Sequence, residues 1–316
     1  MDITTPDTTA FFGFQRYGGP EVLKHLAVPT PRPGLGQVLI RMTAAGVNPA
    51  DIKVRNGDRQ GTIPVTFPMA VGREAAGEVV GLGEGVTHVS VGDRVFGPTA
   101  AGTGALASHV LLDAAGTTRT PEGVSDEQAA CLPVAGGTAY DALDELDLAE
   151  GSTVLMLGAG GGVGTCVLQM ARDRGLTVLG LASAQKAELI ESLGGIPVDR
   201  HQDWETAVRR QGSHGSHGVD AVIDSVGGET LRSAAALLRI PGAIRSVADP
   251  AQAEQLGGSG VIRRRTTEVY TQVAQLVTDG RFAPVITQRF ALDDAAQAVA
   301  AVESGHAAGK VVVTAD

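Results

Sequence analysis

The chain of 316 residues has little cysteine, few aromatic side chains and a deficit of positive charge. Its two cysteines, Cys131 and Cys166, are far apart and form no C-x-x-C pair, so the sequence shows neither a disulfide framework nor a local thiolate metal site. We expect both to be small buried apolar residues. An aromatic content of 3% disfavours a stacking platform for nucleic acid, and a net charge of −10 disfavours a phosphate backbone as partner. The arginine run at 263–265 is the exception, and we interpret it as a solvated helix start.

Signals for export or membrane insertion are also missing. The first residues, MDITTPDTTAFFGF, carry acids where a signal peptide has Lys or Arg, so the sequence predicts a cytoplasmic protein in a reducing compartment. The segment 151–171 contains no charge. Its central glycines would leave backbone polar groups exposed to lipid, which favours a strand, turn and helix over a membrane span.

The first third of the chain has the texture of an antiparallel barrel or sandwich. Short β-rich runs at 37–47, 75–83 and 91–97 are bounded by Gly, Pro and Asp turn signals. The texture changes near Pro133, after a candidate helix N-cap at Ser125.

From there, strands alternate with helices, which predicts a doubly wound parallel sheet. The predicted strands lie at 153–158, 176–182, 219–228 and 242–248. The C-terminal part returns to short strands around one helix, and we infer that this tail rejoins the first domain.

The run Leu157-Gly-Ala-Gly-Gly-Gly-Val-Gly164 follows an apolar strand and opens a helix, which is the context of a dinucleotide fingerprint. The strict G-x-G-x-x-G register fails by one residue, and Ala159 takes the first glycine position. Gly161 would let the backbone approach a pyrophosphate, and Gly164 would let the helix pack against the strand. The alternative is a tight turn in a sheet that binds nothing.

The end of the second strand bears on which nucleotide binds. An NAD site usually has Asp or Glu there, bonded to the ribose 2′-hydroxyl. Here the strand ends with Ala182 and Ser183, and Lys186 follows. The position has no carboxylate that would repel a 2′-phosphate, and a cation is near. The sequence therefore predicts NADP(H). Lys186 as a solvated helix residue is the alternative.

Together these segments resemble the medium-chain dehydrogenase/reductase superfamily, and within it the zinc-independent, ζ-crystallin-like quinone oxidoreductases. The likeness covers nearly the whole chain, from YGGPEVL to GKVVV. Its landmarks are AAGVNPADIK (44–53), VGREAAGEVVGLGEGV (71–86), VGDRVFG (91–97), LPVAGGTAYDAL (132–143), the glycine turn and DSVGG (224–228).

The resemblance implies an α/β protein with a GroES-like β-barrel catalytic domain and a Rossmann domain with a doubly wound parallel sheet. We place the catalytic domain at 1–134, completed by 285–316, and the NADP(H)-binding domain at 135–284. The resemblance further implies an active site in the cleft between the domains and a homodimer through the sheet edges of the cofactor domains.

The zinc ligands of the dehydrogenase relatives are replaced in this chain. Those relatives have Cys where this chain has Asn48, and His in a G-H-E where it has Gly72-Arg73-Glu74. A catalytic zinc needs about three protein ligands, so no metal site is predicted. We expect Arg73 to pair with Glu74 or Asp51 and to fill the space of the metal. His214 and His217 lie in a Gly/Ser-rich stretch that offers no further ligand.

The remaining site residues are carried over from the resemblance position by position. Asn48 matches the family's Asn beside the nicotinamide, and Thr138 matches the Thr near its phosphate or ribose. The expected cofactor-binding set is Asn48, Thr138, Gly160, Gly161, Gly162, Val163, Ser183, Lys186, Arg200, His201, Ser225, Val226, Ser246 and Val247. Asp224 is expected to cap or end its strand.

One departure bears on the substrate. Many bacterial relatives have Tyr where this chain has Lys53, and a second Tyr where it has Asp58 or Arg59. This loss puts plain quinones in doubt and keeps enones as candidates.

Hydride transfer to either acceptor builds negative charge on an oxygen, for which Asn48 and Lys53 are the candidate catalytic donors. Lys53 as a surface residue and Asn48 as a turn residue are the alternatives. The predicted function is zinc-independent, NADPH-dependent reduction of a small quinone or α,β-unsaturated carbonyl. An NADPH-binding sensor or crystallin-like protein is the alternative, and a zinc alcohol dehydrogenase is a distant third.

Overall fold

The computed structural model describes residues 6–212 and 218–315, and these divide into two compact units. Unit 1 comprises Met1–Val134, Arg265–Thr278 and Ile286–Asp316, and unit 2 comprises Ala135–Arg264 and Asp279–Val285. His214 and His217 lie outside the described residues. No helix among the described residues has the length and apolar character needed to cross a bilayer.

Unit 1 is built from short strands with a few helices. Its elements are β1 (Thr8–Phe14), β2 (Leu23–Pro29), β3 (Gln37–Val47), α1 (Pro49–Asn56), β4 (Met69–Ala70), β5 (Glu74–Leu82), β6 (Arg94–Pro98), β7 (His109–Asp113), β8 (Thr118–Arg119), α2 (Asp126–Ala129), α9 (Thr267–Thr278), β15 (Ile286–Ala291), α10 (Ala295–Glu303) and β16 (Lys310–Thr314). Ser125 caps α2 by accepting a hydrogen bond from the Gln128 backbone N–H, which confirms it as an N-cap.

The long strand β3 organises unit 1. It pairs antiparallel with β5, β7 and β16 in a sheet of seven strands, whereas β2, β1 and β4 form a separate sheet of three. Val38, Leu39 and Ile40 are all buried, and so are residues 44–47, whereas Arg41 and Thr43 are exposed, so β3 is covered on both faces over most of its length. Because β16 pairs with β3, the C-terminal segment lies beside the start of α1.

Unit 2 has a six-stranded sheet that is parallel throughout. Its elements are α3 (Gly137–Leu146), β9 (Thr153–Leu157), α4 (Gly162–Asp173), β10 (Thr177–Ala182), α5 (Ala187–Ser192), β11 (Ile196–Asp199), α6 (Trp204–Gln211), β12 (Ala221–Asp224), α7 (Gly228–Ala235), β13 (Ile244–Ser246), α8 (Pro250–Gln255) and β14 (Ser259–Gly260). All five residues of β9 are buried, as expected for a strand covered on both faces.

The strand order of this sheet is β11-β10-β9-β12-β13-β14. The chain moves outward from β9 to one side and then returns to continue on the other, so β9 and β12 flank the topological switch point. Ligands of doubly wound sheets bind at the carboxyl ends of the strands at such a point. The predicted doubly wound Rossmann sheet is confirmed.

The segment 265–278 groups with unit 1, whereas the sequence places it in the cofactor domain. The reason is α9, whose Tyr270 is 1% exposed and packs its ring 6.3 Å from that of Phe96. The arginine run at 263–265 also differs from expectation. It precedes α9, and Arg264 pairs with Asp141 at 2.6 Å instead of only facing solvent.

The segment 279–285 is joined to unit 2 by the ion pair of Arg281 with Asp173 and by a buried amide. Gln169 of α4 donates through Nε2 to the Ala283 carbonyl at 2.8 Å and accepts from the Ala283 N–H at 3.1 Å. Gln169 is 7% exposed, so water does not readily replace these bonds.

We therefore expect Gln169→Leu to lower the free energy of unfolding of unit 2 by about 1–3 kcal/mol, because it leaves two backbone groups unpaired. Urea denaturation followed by circular dichroism measures the change. Gln15→Leu, at an exposed position, is the control and should have little effect. Equal stabilities for the two variants would contradict the assignment.

Candidate active site

A buried polar cluster lies in unit 1 where β3 gives way to α1. Asn48 is the N-cap of α1, and its backbone N–H donates to Asp51 Oδ2 at 2.8 Å. Asn48 is 5% exposed and Asp51 is 2% exposed. An Asn before Pro in this pattern starts a helix, so the local sequence places both side chains.

Lys310, the first residue of β16, completes this cluster. Its ammonium donates to Asn48 Oδ1 at 2.6 Å and to Glu74 Oε1 at 2.7 Å, and it is 2% exposed. Glu74 is fully buried and accepts from Asn48 Nδ2 at 2.9 Å and from the Val134 N–H at 2.7 Å. The carboxylate is therefore fully occupied by charge-assisted bonds.

Gly46 makes room for this arrangement. A Cβ at this position would lie 2.4 Å from Glu74 Oε1 and 2.7 Å from the Ala130 carbonyl. No side chain fits at this position while Glu74 keeps its place.

Lys310 fixes the orientation of the Asn48 amide. An ammonium group only donates hydrogen bonds, so the Asn48 oxygen must face Lys310 and the nitrogen must face Glu74. One Nδ2 hydrogen bonds to Glu74, and the other has only the Gly46 carbonyl at 3.5 Å. This second hydrogen therefore has only a long, weak contact.

Burial changes the acid–base properties of the cluster. Burial raises the pKa of Asp51 to about 7, opposed by the nearby charge of Arg73. Asp51 Oδ1 is buried and has no hydrogen-bond partner, which suits a carboxyl that carries a proton. Burial is the largest influence on Lys310 and opposes its charge, but Glu74, Cys131 and Asp51 together outweigh burial and raise the pKa of Lys310.

The role expected for Arg73 is wrong in one respect. Lys310, not Arg73, pairs with Glu74, and among the described residues Arg73 is in no ion pair within 4.0 Å. Arg73 acts on Asp51 only through its field. The sequence missed Lys310 because its partners are 236 and 262 residues away, although a lysine beside three buried valines was a signal.

Lys53 lies on α1 and is half-buried. It has no hydrogen bond or ion pair with the described side chains. Its catalytic role stays a prediction.

The glycine turn in unit 2 links β9 to α4 as expected. A Cβ at Gly164 would lie 2.4 Å from the Gly158 carbonyl oxygen, which explains the glycine where helix and strand pack closely. A Cβ at Gly161 would have only the same oxygen nearby, at 3.4 Å, so this backbone faces open space. Gly161 is the N-cap of α4 and no side chain caps the helix, so the first-turn N–H groups of Gly162 and Val163 have no side-chain acceptor.

Cations lie where the sequence predicts the adenosine phosphate. Ser183 directly follows β10, and the side chain of Lys186 lies against Gly160, where a Cβ would meet its Cδ at 2.3 Å. Burial and the neighbouring charge of Arg200 both lower the pKa of Lys186. Arg200 Nε donates to His201 Nε2 at 3.1 Å, so these predicted residues adjoin one another.

Asp224 organises the loops after β12 and β13. It is fully buried and accepts from the N–H groups of Val226 and Gly227, both at 2.8 Å, and from Ser246 Oγ at 2.6 Å. Its predicted role in ending the strand is confirmed. The hydroxyl of Ser246 is committed to this carboxylate, whereas Val226 is 51% exposed.

Three further predicted residues differ in which of their polar groups remain unbonded. Ser225 Oγ donates to the Leu157 carbonyl at 2.8 Å, while Val247 contributes its N–H to the Asp224 carbonyl. Thr138 is 1% exposed, and its Oγ1 is buried without a partner. A buried hydroxyl without a partner is a group that a bound ligand can satisfy.

These features fit a nicotinamide dinucleotide. The open glycine turn and the uncapped α4 suit a pyrophosphate, Lys186 and Arg200 suit a further phosphate, and the orphaned Thr138 hydroxyl suits a polar cofactor group. Across residues 6–212 and 218–315, no three His, Cys, Asp or Glu side chains are grouped as a metal site.

Comparison with known proteins gives the family. Residues 34–122 match the alcohol dehydrogenase GroES-like domain, and residues 196–313 match the zinc-binding dehydrogenase family. The chain is 31% identical to a chloroplastic quinone oxidoreductase of Triphysaria versicolor, over 94% of this chain and 95% of that protein. It is 30% identical to 2-methylene-furan-3-one reductase of Solanum lycopersicum, over 98% of this chain and 80% of that protein.

Solved structures agree. The quinone oxidoreductase of Coxiella burnetii superposes with a TM-score of 0.88 at 30% identity, covering 97% of this chain and 99% of that one. A mycobacterial protein complexed with NADPH superposes with a TM-score of 0.84 at 30% identity, over the same shares of the two chains.

The fold therefore defines a dehydrogenase/reductase with a GroES-like domain and a Rossmann domain. The chain belongs to the medium-chain dehydrogenase/reductase superfamily, in its zinc-independent quinone oxidoreductase branch. It is an oxidoreductase with a nicotinamide cofactor.

The pKa of Asp51 predicts a specific pH dependence of stability. The carboxyl has a pKa of about 7 in the folded state and an ordinary value of 3.8, so the folded state binds the proton more tightly. Stability therefore decreases as the pH rises from about 4 to about 7 and is constant in this respect above that range.

We expect Asp51→Asn to remove this loss. The stability of the variant relative to the wild type should rise with pH by up to about 1.4 kcal/mol per pH unit between about 4 and 7. Urea unfolding of both proteins at several pH values measures the difference. A difference that does not change with pH would contradict a raised pKa.

Proposed function

We propose that this protein is an NADPH-dependent, zinc-independent reductase of quinones or α,β-unsaturated carbonyls. The observation that carries the proposal is the amide of Asn48, held by Lys310 and Glu74 with one N–H left to donate. The Triphysaria relative is named for quinones and the Solanum relative for an enone, which supports both acceptor classes.

The cofactor-binding role falls to unit 2. Gly160, Gly161, Gly162 and Val163 would hold the pyrophosphate, and the loops with Ser225, Val226, Ser246 and Val247 would follow the cofactor along the carboxyl ends of the strands. Ser183, Lys186, Arg200 and His201 would bind the 2′-phosphate of NADP(H). The bound nicotinamide supplies the hydride. The mycobacterial neighbour complexed with NADPH supports this choice.

Asn48 stabilises the charge that hydride addition builds on the acceptor oxygen. The ammonium of Lys310 on Asn48 Oδ1 withdraws electron density from the amide, which strengthens its remaining N–H as a donor. Glu74 keeps the amide from rotating. The group is thus oriented before the acceptor binds, and the proton that completes the reaction comes from solvent. Lys53 is a second candidate donor.

The competing candidate is a protein that binds NADPH with little catalysis, such as a sensor or a crystallin-like protein. The absence of tyrosine at positions 53, 58 and 59 favours it.

The homodimer is also part of the proposal. The short edge strand β14 and the 71% exposed Ile262 beyond it offer an apolar edge for a second copy. The cytoplasmic location stays a prediction, since the Triphysaria relative is named as chloroplastic.

The test of the function is oxidation of NADPH, and separately of NADH, by metal-stripped protein with a quinone and with an enone. We expect turnover with NADPH and a preference over NADH. Lys186→Ala should raise the KM for NADPH about tenfold or more, because a charge-assisted bond to phosphate is lost, and leave that for NADH unchanged. Lys24→Ala, at an exposed position, is the control.

Binding of NADPH without turnover on any acceptor would favour the sensor instead. A preference for NADH would contradict the roles of Ser183 and Lys186.

The donor role of Asn48 is tested separately. Asn48→Ala should lower kcat about 100-fold, as loss of an oxyanion donor does, while the Kd for NADPH changes little. Because the Asn48 side chain also bonds Lys310 and Glu74, thermal unfolding checks that the variant keeps its fold. Ser125→Ala, which removes a helix cap in the same unit, controls for a general loss of stability. An equal loss of kcat in both variants would assign the effect of Asn48→Ala to stability and not to a lost donor. Lys53→Ala measures the second donor in the same assay.

A further inference from the structure

Two half-buried arginines of unit 1 have no hydrogen-bonding or ion-pair partner for their guanidinium groups in the part of the chain that the structure describes. Among the described residues, five arginines are buried or half-buried. Three of them are compensated. They are Arg55 with Glu303 at 2.6 Å, Arg245 with Glu145 at 2.6 Å, and Arg174 over the ring of Tyr140 at 5.3 Å. The other two, Arg59 and Arg73, have neither a hydrogen bond from the guanidinium nor an ion pair with any described residue.

Arg73 adjoins the Asn48 cluster, and Arg59 is close enough for its charge to act on Arg73. Arg73 precedes Glu74, and its carbonyl accepts from the Thr99 N–H at 3.1 Å. Arg59 lies in the turn after α1, where its carbonyl accepts from the N–H of Ile63 at 3.0 Å. After burial, the charges that act on Arg73 are those of Asp51, Arg265, Arg59 and Glu74. The two arginines therefore sense each other's field.

The neighbouring carboxylates do not neutralise this positive charge. Glu74 is bonded to Lys310 and Asn48, and Asp51 bonds through Oδ2 to the Asn48 N–H. Neither carboxylate is within 4.0 Å of the Arg73 guanidinium nitrogens. A partly buried guanidinium is costly unless a counter-charge meets it.

We propose that Arg59 and Arg73 form an anion subsite that takes an acidic group of the acceptor, such as a carboxylate, sulfonate or phosphate. A guanidinium suits such a group because its planar N–H donors match two oxygens at once. The inference rests on the proposed function and narrows its substrate class from neutral quinones and enones to acidic ones. It also gives a physical reason for arginine at position 59, one of the two positions where the resemblance places a second tyrosine.

The anion at this subsite could also come from the cofactor, because NADPH carries phosphates. The subsite belongs to the acceptor if substitution changes the choice between acceptors and leaves NADPH binding unchanged. It belongs to the cofactor if the reverse holds.

The experiment compares naphthoquinone with naphthoquinone sulfonate as acceptors, in the wild type and in Arg73→Gln and Arg59→Gln. The ratio of kcat/KM for the sulfonate to that for the parent should fall about tenfold or more in each variant. Dividing each variant's ratio by that of the wild type removes the difference in intrinsic reactivity between the two acceptors. Arg32→Gln, an exposed arginine of the same unit, is the control and should keep the wild-type ratio.

Three outcomes decide the proposal. An unchanged ratio in both variants overturns it, and a raised Kd for NADPH with an unchanged ratio assigns the arginines to the cofactor. If no acceptor is reduced, the proposed function fails, and calorimetric binding of naphthalene sulfonate to the wild type and Arg73→Gln still tests the subsite. Equal binding by the two proteins overturns it. Thermal unfolding shows that each variant is folded.

Discussion

The contact of Lys310 with Asn48 and Glu74 is the constraint on which the candidate site depends. A buried carboxylate is expensive unless it is paired and hydrogen-bonded, and Lys310 meets that requirement from a strand at the other end of the chain. The pairing of β16 with β3 brings Lys310 to the carboxylate, and the space that Glu74 takes explains why position 46 has no side chain. The same ammonium orients the Asn48 amide, so stability and donor geometry share one interaction.

The candidate cofactor-binding loops of unit 2 and the Asn48 cluster of unit 1 are held in place by different interactions. In unit 2, the parallel strands bring the loops after β9, β10, β12 and β13 to the same edge of the sheet. In the turn between β9 and α4, Gly164 allows close packing and Gly161 leaves the backbone open. In unit 1, the site depends on side chains that satisfy one another in a buried cluster. A cofactor cradle made of backbone tolerates changes around it, whereas a buried charged cluster does not.

The sequence predicts the parts of the structure that are local. The strand, glycine turn and helix at 153–173 follow from periodicity, and Gly164 follows from the close approach of helix and strand. The position of Asn48 as a helix cap is equally local. Contacts between residues 236 or more positions apart leave no pattern in the local sequence. The sequence therefore does not predict Lys310 as the partner of Glu74 and favours Arg73 instead. The packing of α9 against Phe96 was missed for the same reason.

The position of positive charge relates the cluster to zinc-dependent members of the superfamily. The resemblance in sequence aligns a His ligand of those members with Arg73 and a Cys ligand with Asn48. Here the ammonium of Lys310 supplies positive charge beside Glu74 as part of the folded chain. Unlike a metal ion, the ammonium has no ligand position to offer, and two of its three hydrogens are donated to Asn48 and Glu74. In the proposed function Lys310 acts through the Asn48 amide, and in the proposed subsite Arg73 binds an anion. Polarisation of the acceptor and recognition of its charge thus fall to different side chains.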